Sequence, residues 1–407
     1  MQQRGYTLVS QQIRDKIAQY ELHTDATTIK LDDKGHFVDK NLEARIQPAG
    51  YDLTLSTELY ILDAETAGIF RPTKETTVKE AIFQLPASQR QQINIDKDKG
   101  FEIRKGFFYL IRLVEKIRMS ENEDAESSPK STFGRLFLDT RMIADYNPCF
   151  NKIKSCYKKD KPLELWLLVH PQAFNTTIYP GISLNQLRFF EGIGAQLTPT
   201  ELLYEFKQNP LLYHRNDDGN LQPATLDEHI ITDGGLQIHL DALGRHTHSI
   251  VGLKTKHTPA SVDTKKLKGH YAEEYHRAVF KEKPLIEPDQ AYLLFSKECI
   301  RVPPHLCGQL KSRSDIGLNA KLHDAGFFDN GFFADCVFEI QSNEQVSTNF
   351  YHGMPIGVMD FFRTIMTPDK IYGTTIGSNY QGQVGSKVAK YFTDFDFKKA
   401  REEYTVS

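Results

Sequence analysis

Cysteine is scarce in this sequence: five residues in 407, an odd number with no Cys-x-x-Cys among them. That excludes a disulfide framework and a zinc ribbon, and a reducing cytoplasm is the expected compartment. Long apolar runs are absent as well. The longest, 106-GFFYLI-111 and 165-LWLLV-169, are far too short to span a bilayer and suit buried strands. The first twenty residues contain no apolar stretch of the kind a signal peptide needs. Neither sign of charge dominates. A net charge of -3 provides no global positive field to recruit polymeric nucleic acid, so an anionic ligand would need a local cluster of donors.

What is present is an ordinary soluble composition in a chain long enough for two or three domains. Ile13, Ile17 and Tyr20 share one helical face near the start. Beyond them come short runs of Val, Ile, Leu, Phe and Tyr broken by Gly, Pro, Asn and Asp, the pattern of strands and turns. The string 120-SENEDAESSPKS-131 reads as a mobile polar loop.

The decisive pattern is internal repetition. At a constant offset of 183, Ile103, Tyr109, Leu110, Glu115, Ile117 and Arg118 match Ile286, Tyr292, Leu293, Glu298, Ile300 and Arg301. At an offset of 172, Tyr179, Gly181, Phe189 and Phe190 match Tyr351, Gly353, Phe361 and Phe362. Two blocks in the same order indicate duplication, with a first domain over 1–195, a connector over 196–230 and a second domain over 231–407. Within the connector, Thr198, Pro199 and Glu201 form a helix start: N-cap, N1 and N3.

Several strings then resemble one family, the dCTP deaminases and related dUTPases. In 322-LHDAGFFDNGFFADCVFEI-340 an Ala-Gly turn, with Ala325 and Gly326, leads to Asp329, and Glu339 follows ten residues later on a strand. The string 371-IYGTTIGSNYQGQ-383 resembles the family's C-terminal arm, which closes over the nucleotide. In the first half, 130-KSTFGRL-136 resembles its phosphate-binding motif, and 46-IQPAGYDLTL-55 and 183-SLNQLRF-189 also fit. Over roughly residues 40–395 the chain resembles the long, double-domain members. The resemblance implies a mainly β protein, a tandem duplication of the dUTPase-like distorted β-barrel (β-clip) with a few short helices.

The implied activity is hydrolytic deamination of dCTP to dUTP and ammonia, supplying dUTP for pyrimidine deoxynucleotide synthesis. The zinc-deaminase pattern His-x-Glu…Pro-Cys-x-x-Cys is missing, so a carboxylate base is expected instead of zinc. Periodicity alone reads Glu339 as a solvated residue on a half-buried strand. The family match makes it the general base, with Arg135 beside the reacting water and cytosine. Lys130, Ser131 and Thr132 would hold the triphosphate, accompanied by Mg²⁺. Asp329 is either a ligand or a turn cap, and Phe332 packs on the deoxyribose or in the core. Tyr380, Gln381 and Gln383 would touch the nucleotide if the arm closes. His239, His246, His248 and His257 lack the spacing of metal ligands.

Each copy departs from the pattern. Leu168 stands where copy one would carry the glutamate, and Leu318 where copy two would carry the second arginine, although Arg313 and Ser314 remain. A site shared between the copies, within one chain or between chains of a homo-oligomer, would restore the pair. The alternatives are a homotypic ring in which Glu339 works with Arg313 and Ser314, a bifunctional enzyme that also cleaves the triphosphate to dUMP, and a catalytically inactive nucleotide-binding regulator.

Overall fold

The computed structural model describes residues 4–71, 73–157, 160–216, 218–226, 231–232, 234–258, 260–281, 285–313, 320–342 and 347–406. Within it the chain forms two units. The first comprises residues up to Lys130, Leu138–Ala195 and Arg363–Lys370; the second comprises Ser131–Phe137, Gln196–Phe362 and the chain from Ile371 on. The described residues between 196 and 230 therefore lie in the second unit.

In the first unit one sheet runs, in spatial order, through Lys152–Ile153, Glu123–Pro129, Asn185–Glu191, Gly50–Asp52 and Ile46–Gln47. The other runs through Leu138–Ala144, Leu163–Pro171, Phe108–Ile117, Leu55–Leu62 and Arg90–Asn94. Tyr60, Leu110, Ile143 and Trp166 belong to a buried cluster against the second sheet. The second unit repeats the plan. Ile250–Thr255, Ala291–Arg301 and Phe333–Ser342 are consecutive neighbours in one sheet, and Gly235–His239, Pro355–Arg363 and Leu306–Ser312 in the other. The protein is a mainly β, tandemly duplicated chain.

The duplication is visible bond by bond. The Tyr109 hydroxyl accepts the Arg104 N–H at 2.8 Å, and the Tyr292 hydroxyl accepts the Glu287 N–H at 3.0 Å. Glu115 accepts the Thr54 N–H at 2.8 Å, and Glu298 the His239 N–H at 2.9 Å. Gly181 and Gly353 both adopt left-handed backbone, φ 87° and 80°, where a side chain would be strained. Their N–H groups reach the Leu55 and Leu240 carbonyls at 2.8 and 2.9 Å.

Local expectations divide. Thr198 caps the helix Pro199–Gln208 in a reciprocal box with Glu201, and Leu202 and Phe206 are buried. The first helix spans Ser10–Ala18 with Ile13 and Ile17 fully buried. Tyr20 is not on its face. It lies beyond the C-cap at φ 57° and is 60% exposed, turned outward by the left-handed residue that ends the helix. The polar string 120–131 is not a mobile loop over its length. Glu123–Pro129 is a strand paired with Asn185–Glu191. Glu123, Ala125 and Ser127 are buried, while Asp124 and Glu126 pair with Lys154 and Lys152. Small and ion-paired residues give it a disordered composition but a strand's alternation.

Because a tyrosine hydroxyl takes the same backbone N–H in each copy, Tyr109→Phe and Tyr292→Phe should each lower the unfolding free energy by about 1 kcal/mol. Urea denaturation measures this; unchanged midpoints in both variants would refute the repeated bond as a stabilising feature.

Candidate active site

Glu339 lies on the strand Phe333–Ser342, which is covered on both faces. Cys336, Phe338 and Ile340 are buried in the core on one side, and Val337 and Glu339 are buried on the other. Glu339 is only 4% exposed, so it is not the solvated residue that alternation suggests. Burial pushes its carboxyl up from the usual 4.5 to about 7, against the opposing pull of Arg135.

Arg135 follows the single helical turn Ser131–Gly134, and this segment belongs to the second unit although it comes from the first half of the sequence. The Arg135 Nε lies 3.8 Å from Glu339 Oε1. One guanidinium nitrogen donates to the Lys387 carbonyl at 2.6 Å and the other to Gln383 Oε1 at 3.1 Å. The guanidinium carbon lies 3.7 Å from the centre of the Tyr380 ring, a cation–π contact. Nε is buried and makes no hydrogen bond among the described residues. The cation is thus fixed by the C-terminal arm, with its remaining donor close to the carboxylate.

The approach is close because residue 134 is glycine. A Cβ there would lie 2.7 Å from the Ala325 Cβ and 3.3 Å from both Glu339 Cδ and His323 Nδ1. His323 is buried, donates its N–H to the Glu339 carbonyl at 2.8 Å and accepts from the Ala325 N–H at 3.2 Å. It was not among the residues singled out from the sequence, although it stands in the same motif string. Gly326 pairs with Leu310, whose carbonyl would be 2.3 Å from an added Cβ.

The other expected residues fall in different places. Thr132 hydrogen-bonds the Tyr380 hydroxyl at 3.0 Å, and the Ser131 carbonyl accepts the Arg135 N–H at 3.1 Å. Lys130 belongs to the first unit, ion-paired with Asp52. The Asp329 carbonyl accepts the Phe332 N–H across the turn at Gly331, φ 92°. Phe332 meets Phe328 edge-on in the core. Gln381 spans Gly331 and Phe333 at 3.1 Å each, and Gln383 donates to the Asp335 carbonyl at 2.7 Å. These arm residues are docked on the protein itself. The Arg313 N–H reaches the Ile356 carbonyl at 3.3 Å, and Ser314 lies outside the described residues. The ladder also accounts for copy one. Leu110 faces Leu168 where its counterpart Leu293 faces Glu339.

Comparisons with known proteins agree with this plan. Residues 22–193 match the model of the 2'-deoxycytidine 5'-triphosphate deaminase (DCD) N-terminal domain, and residues 209–392 that of the C-terminal domain. The chain belongs to the dCTP deaminase family, as a double-domain member. It is similar to the "dCTP deaminase, dUMP-forming" of Corynebacterium jeikeium, 33% identical over 114 residues, which are 27% of this chain and 61% of that protein. The protein of the same name from Mycobacterium avium is 31% identical over 114 residues, 27% of this chain and 60% of its own length. The chain thus spans about three fifths of the length of these curated relatives. The crystal structure of 2'-deoxycytidine 5'-triphosphate deaminase from Agrobacterium tumefaciens superimposes with a TM-score of 0.74 at 25% identity, covering 90% of this chain and 100% of that one.

Two outcomes follow. Gly134→Ala should destabilise the protein by about 1–3 kcal/mol through overpacking, read by urea denaturation; a fully tolerated alanine would contradict the close approach. The second concerns pH. A carboxyl whose folded pKa is raised binds its proton more tightly in the folded state, so ionisation weakens the fold progressively from about pH 4.5 to about 7. Glu339→Gln should therefore raise the thermal midpoint at pH 8 and leave it unchanged at pH 4.

Proposed function

We propose that this chain deaminates dCTP hydrolytically, with Glu339 as general base, releasing dUTP and ammonia. One observation carries the reading: a carboxyl group shut away from bulk water, with a pKa of about 7, next to an immobilised guanidinium. A base with a pKa near the working pH combines sufficient ionised form with sufficient basicity.

In this mechanism Glu339 takes a proton from water as its oxygen adds to C4 of the cytosine ring. The Arg135 Nε–H, buried and without a hydrogen-bond partner among the described residues, donates toward the oxygen on the tetrahedral carbon. The C4=N3 electron pair moves onto N3 as the water oxygen bonds to C4. Glu339 then returns its proton to the amino nitrogen, and the N3 pair re-forms the double bond as ammonia leaves. The proton still on the added oxygen passes to N3, giving the uracil carbonyl and the regenerated carboxylate. Thr132, Tyr380 and Gln383 act as positioning residues, because they hold Arg135 or its clamp. Ser131, Arg313 and Ser314 are the candidate donors to the triphosphate.

Mg²⁺ would arrive with the triphosphate. Among the described residues no group of three or more His, Cys, Asp or Glu side chains is placed to hold an ion. In the proposed reading the cation is carried on phosphate oxygens and water, as Mg²⁺ commonly is. Zinc has no part in the proposed step. A homo-oligomer that acts on dCTP and dUTP, in the cytoplasm and without polymeric nucleic acid, completes the reading. No helix of the described residues is long and apolar enough to cross a membrane.

A second reading is favoured by the relatives' names, which are dUMP-forming: the chain also releases diphosphate. Incubation with dCTP and Mg²⁺, measuring ammonia and diphosphate, separates the two. Ammonia alone supports the first and both products the second. Bound dCTP with neither product would leave only a nucleotide-binding regulator. Glu339→Gln should lower turnover by about 10²–10⁴ while dCTP binding survives, and Arg135→Ala should be comparably impaired. The rate of the native protein should fall as pH drops below about 7. Near-native ammonia release from Glu339→Gln would overturn the assignment.

A further inference from the structure

A cleft of about 270 Å³ lies elsewhere in the second unit, and none of Glu339, Arg135, Tyr380 or Gln383 lines it. Three permanent cations do, each from a different element. Arg215 ends the strand Leu212–Arg215. Arg245 stands in the turn that begins at Asp241 and is exposed. Lys297 sits where the strand Ala291–Arg301 shifts register against the glutamate strand, between Phe295 and Cys299. The irregularity turns Lys297 to the surface while Ser296 beside it stays buried.

The cleft's carboxylates are committed to internal contacts. Asp241 accepts the Leu243 and Gly244 N–H groups at 2.8 and 3.1 Å. Asp335 pairs with Arg215 at 3.2 Å and accepts the Gly385 N–H at 2.9 Å. Lys297 makes no hydrogen bond or ion pair among the described residues. His214 and His246 add imidazoles to the wall. Three cations against two carboxylates thus line one concave site, a net positive balance of the kind that concentrates anions.

Size narrows the ligand. Pockets for small molecules commonly measure about 300–1,000 Å³, so this cleft suits a chain of phosphates better than a base, sugar and phosphates together. Guanidinium groups pair with phosphate oxygens in parallel, and a lysine adds a point charge. We infer that this cleft binds a polyphosphate anion at a site separate from the nucleotide that Glu339 would act on. The two sites are joined through the arm. Asp335 and Gln383 exchange hydrogen bonds, Asp335 N–H to the Gln383 carbonyl at 3.2 Å and Gln383 Nε2 to the Asp335 carbonyl at 2.7 Å. Gln383 in turn holds Arg135. An anion that engages Arg215 would compete with Asp335 where the arm is fastened.

The test is calorimetric titration of inorganic tripolyphosphate into Glu339→Gln protein saturated with dCTP, with ammonia release followed in the same samples. Binding should persist under dCTP and weaken at least tenfold when Arg245→Glu and Lys297→Glu are combined, two exposed positions outside the catalytic arrangement. Abolition of binding by dCTP would assign the anion to the substrate site and overturn the inference. Undiminished affinity in the charge-reversed protein would overturn it too. The ammonia record tests Glu339 independently, so either reading can fail alone.

Discussion

An ionisable carboxyl group inside a protein needs a compensating charge, and for Glu339 that charge is the Arg135 guanidinium 3.8 Å away. Much of the second unit's local structure serves this pair. Gly134 has no side chain because a Cβ would strike Ala325 and crowd Glu339. The Tyr380 ring packs against the guanidinium, Gln383 and the Lys387 carbonyl take its two terminal nitrogens, and Thr132 hydrogen-bonds the Tyr380 hydroxyl. A cation held on so many sides cannot swing away, and the carboxyl stays poised between its two protonation states.

The duplication separates what a fold must keep from what chemistry needs only once. The tyrosine and glutamate bonds to backbone N–H groups and the left-handed glycines occur in both copies, since each unit must close the same turns. The buried Glu339–Arg135 pair does not repeat. At one ladder position the first copy has Leu168 and the second Glu339, each opposite an equivalent leucine. An apolar residue there is the cheaper choice for stability. The glutamate is therefore a departure from the best packing, which fits the role proposed for it.

Much of this was legible in the sequence, because offsets of 183 and 172 and a ten-residue interval from Asp329 to Glu339 survive as plain spacing. The capping box at Thr198 is a local signal and was equally readable. What periodicity does not record is cover. Alternation in 336–341 separates two faces but cannot say that both are buried, so the environment of Glu339 emerged only with the fold. Composition misled at 120–131, where Glu126 and Asp124 pair with Lys152 and Lys154 and Glu123 pairs with Lys16. Adjacency does not show the partner of Lys130. It is next to Ser131 in the chain, yet its partner is Asp52 in the other unit, because the division between units falls between those two residues.

The placement of Ser131–Phe137 in the second unit has a consequence for concentration dependence. When an arginine and a glutamate come from separate subunits, their encounter is second order and fails on dilution. Here one polypeptide carries both, and tethering replaces bulk concentration by an effective concentration set by the connecting chain. Formation of the pair is thus unimolecular, and it should be as complete in a sparse population of molecules as in a crowded one.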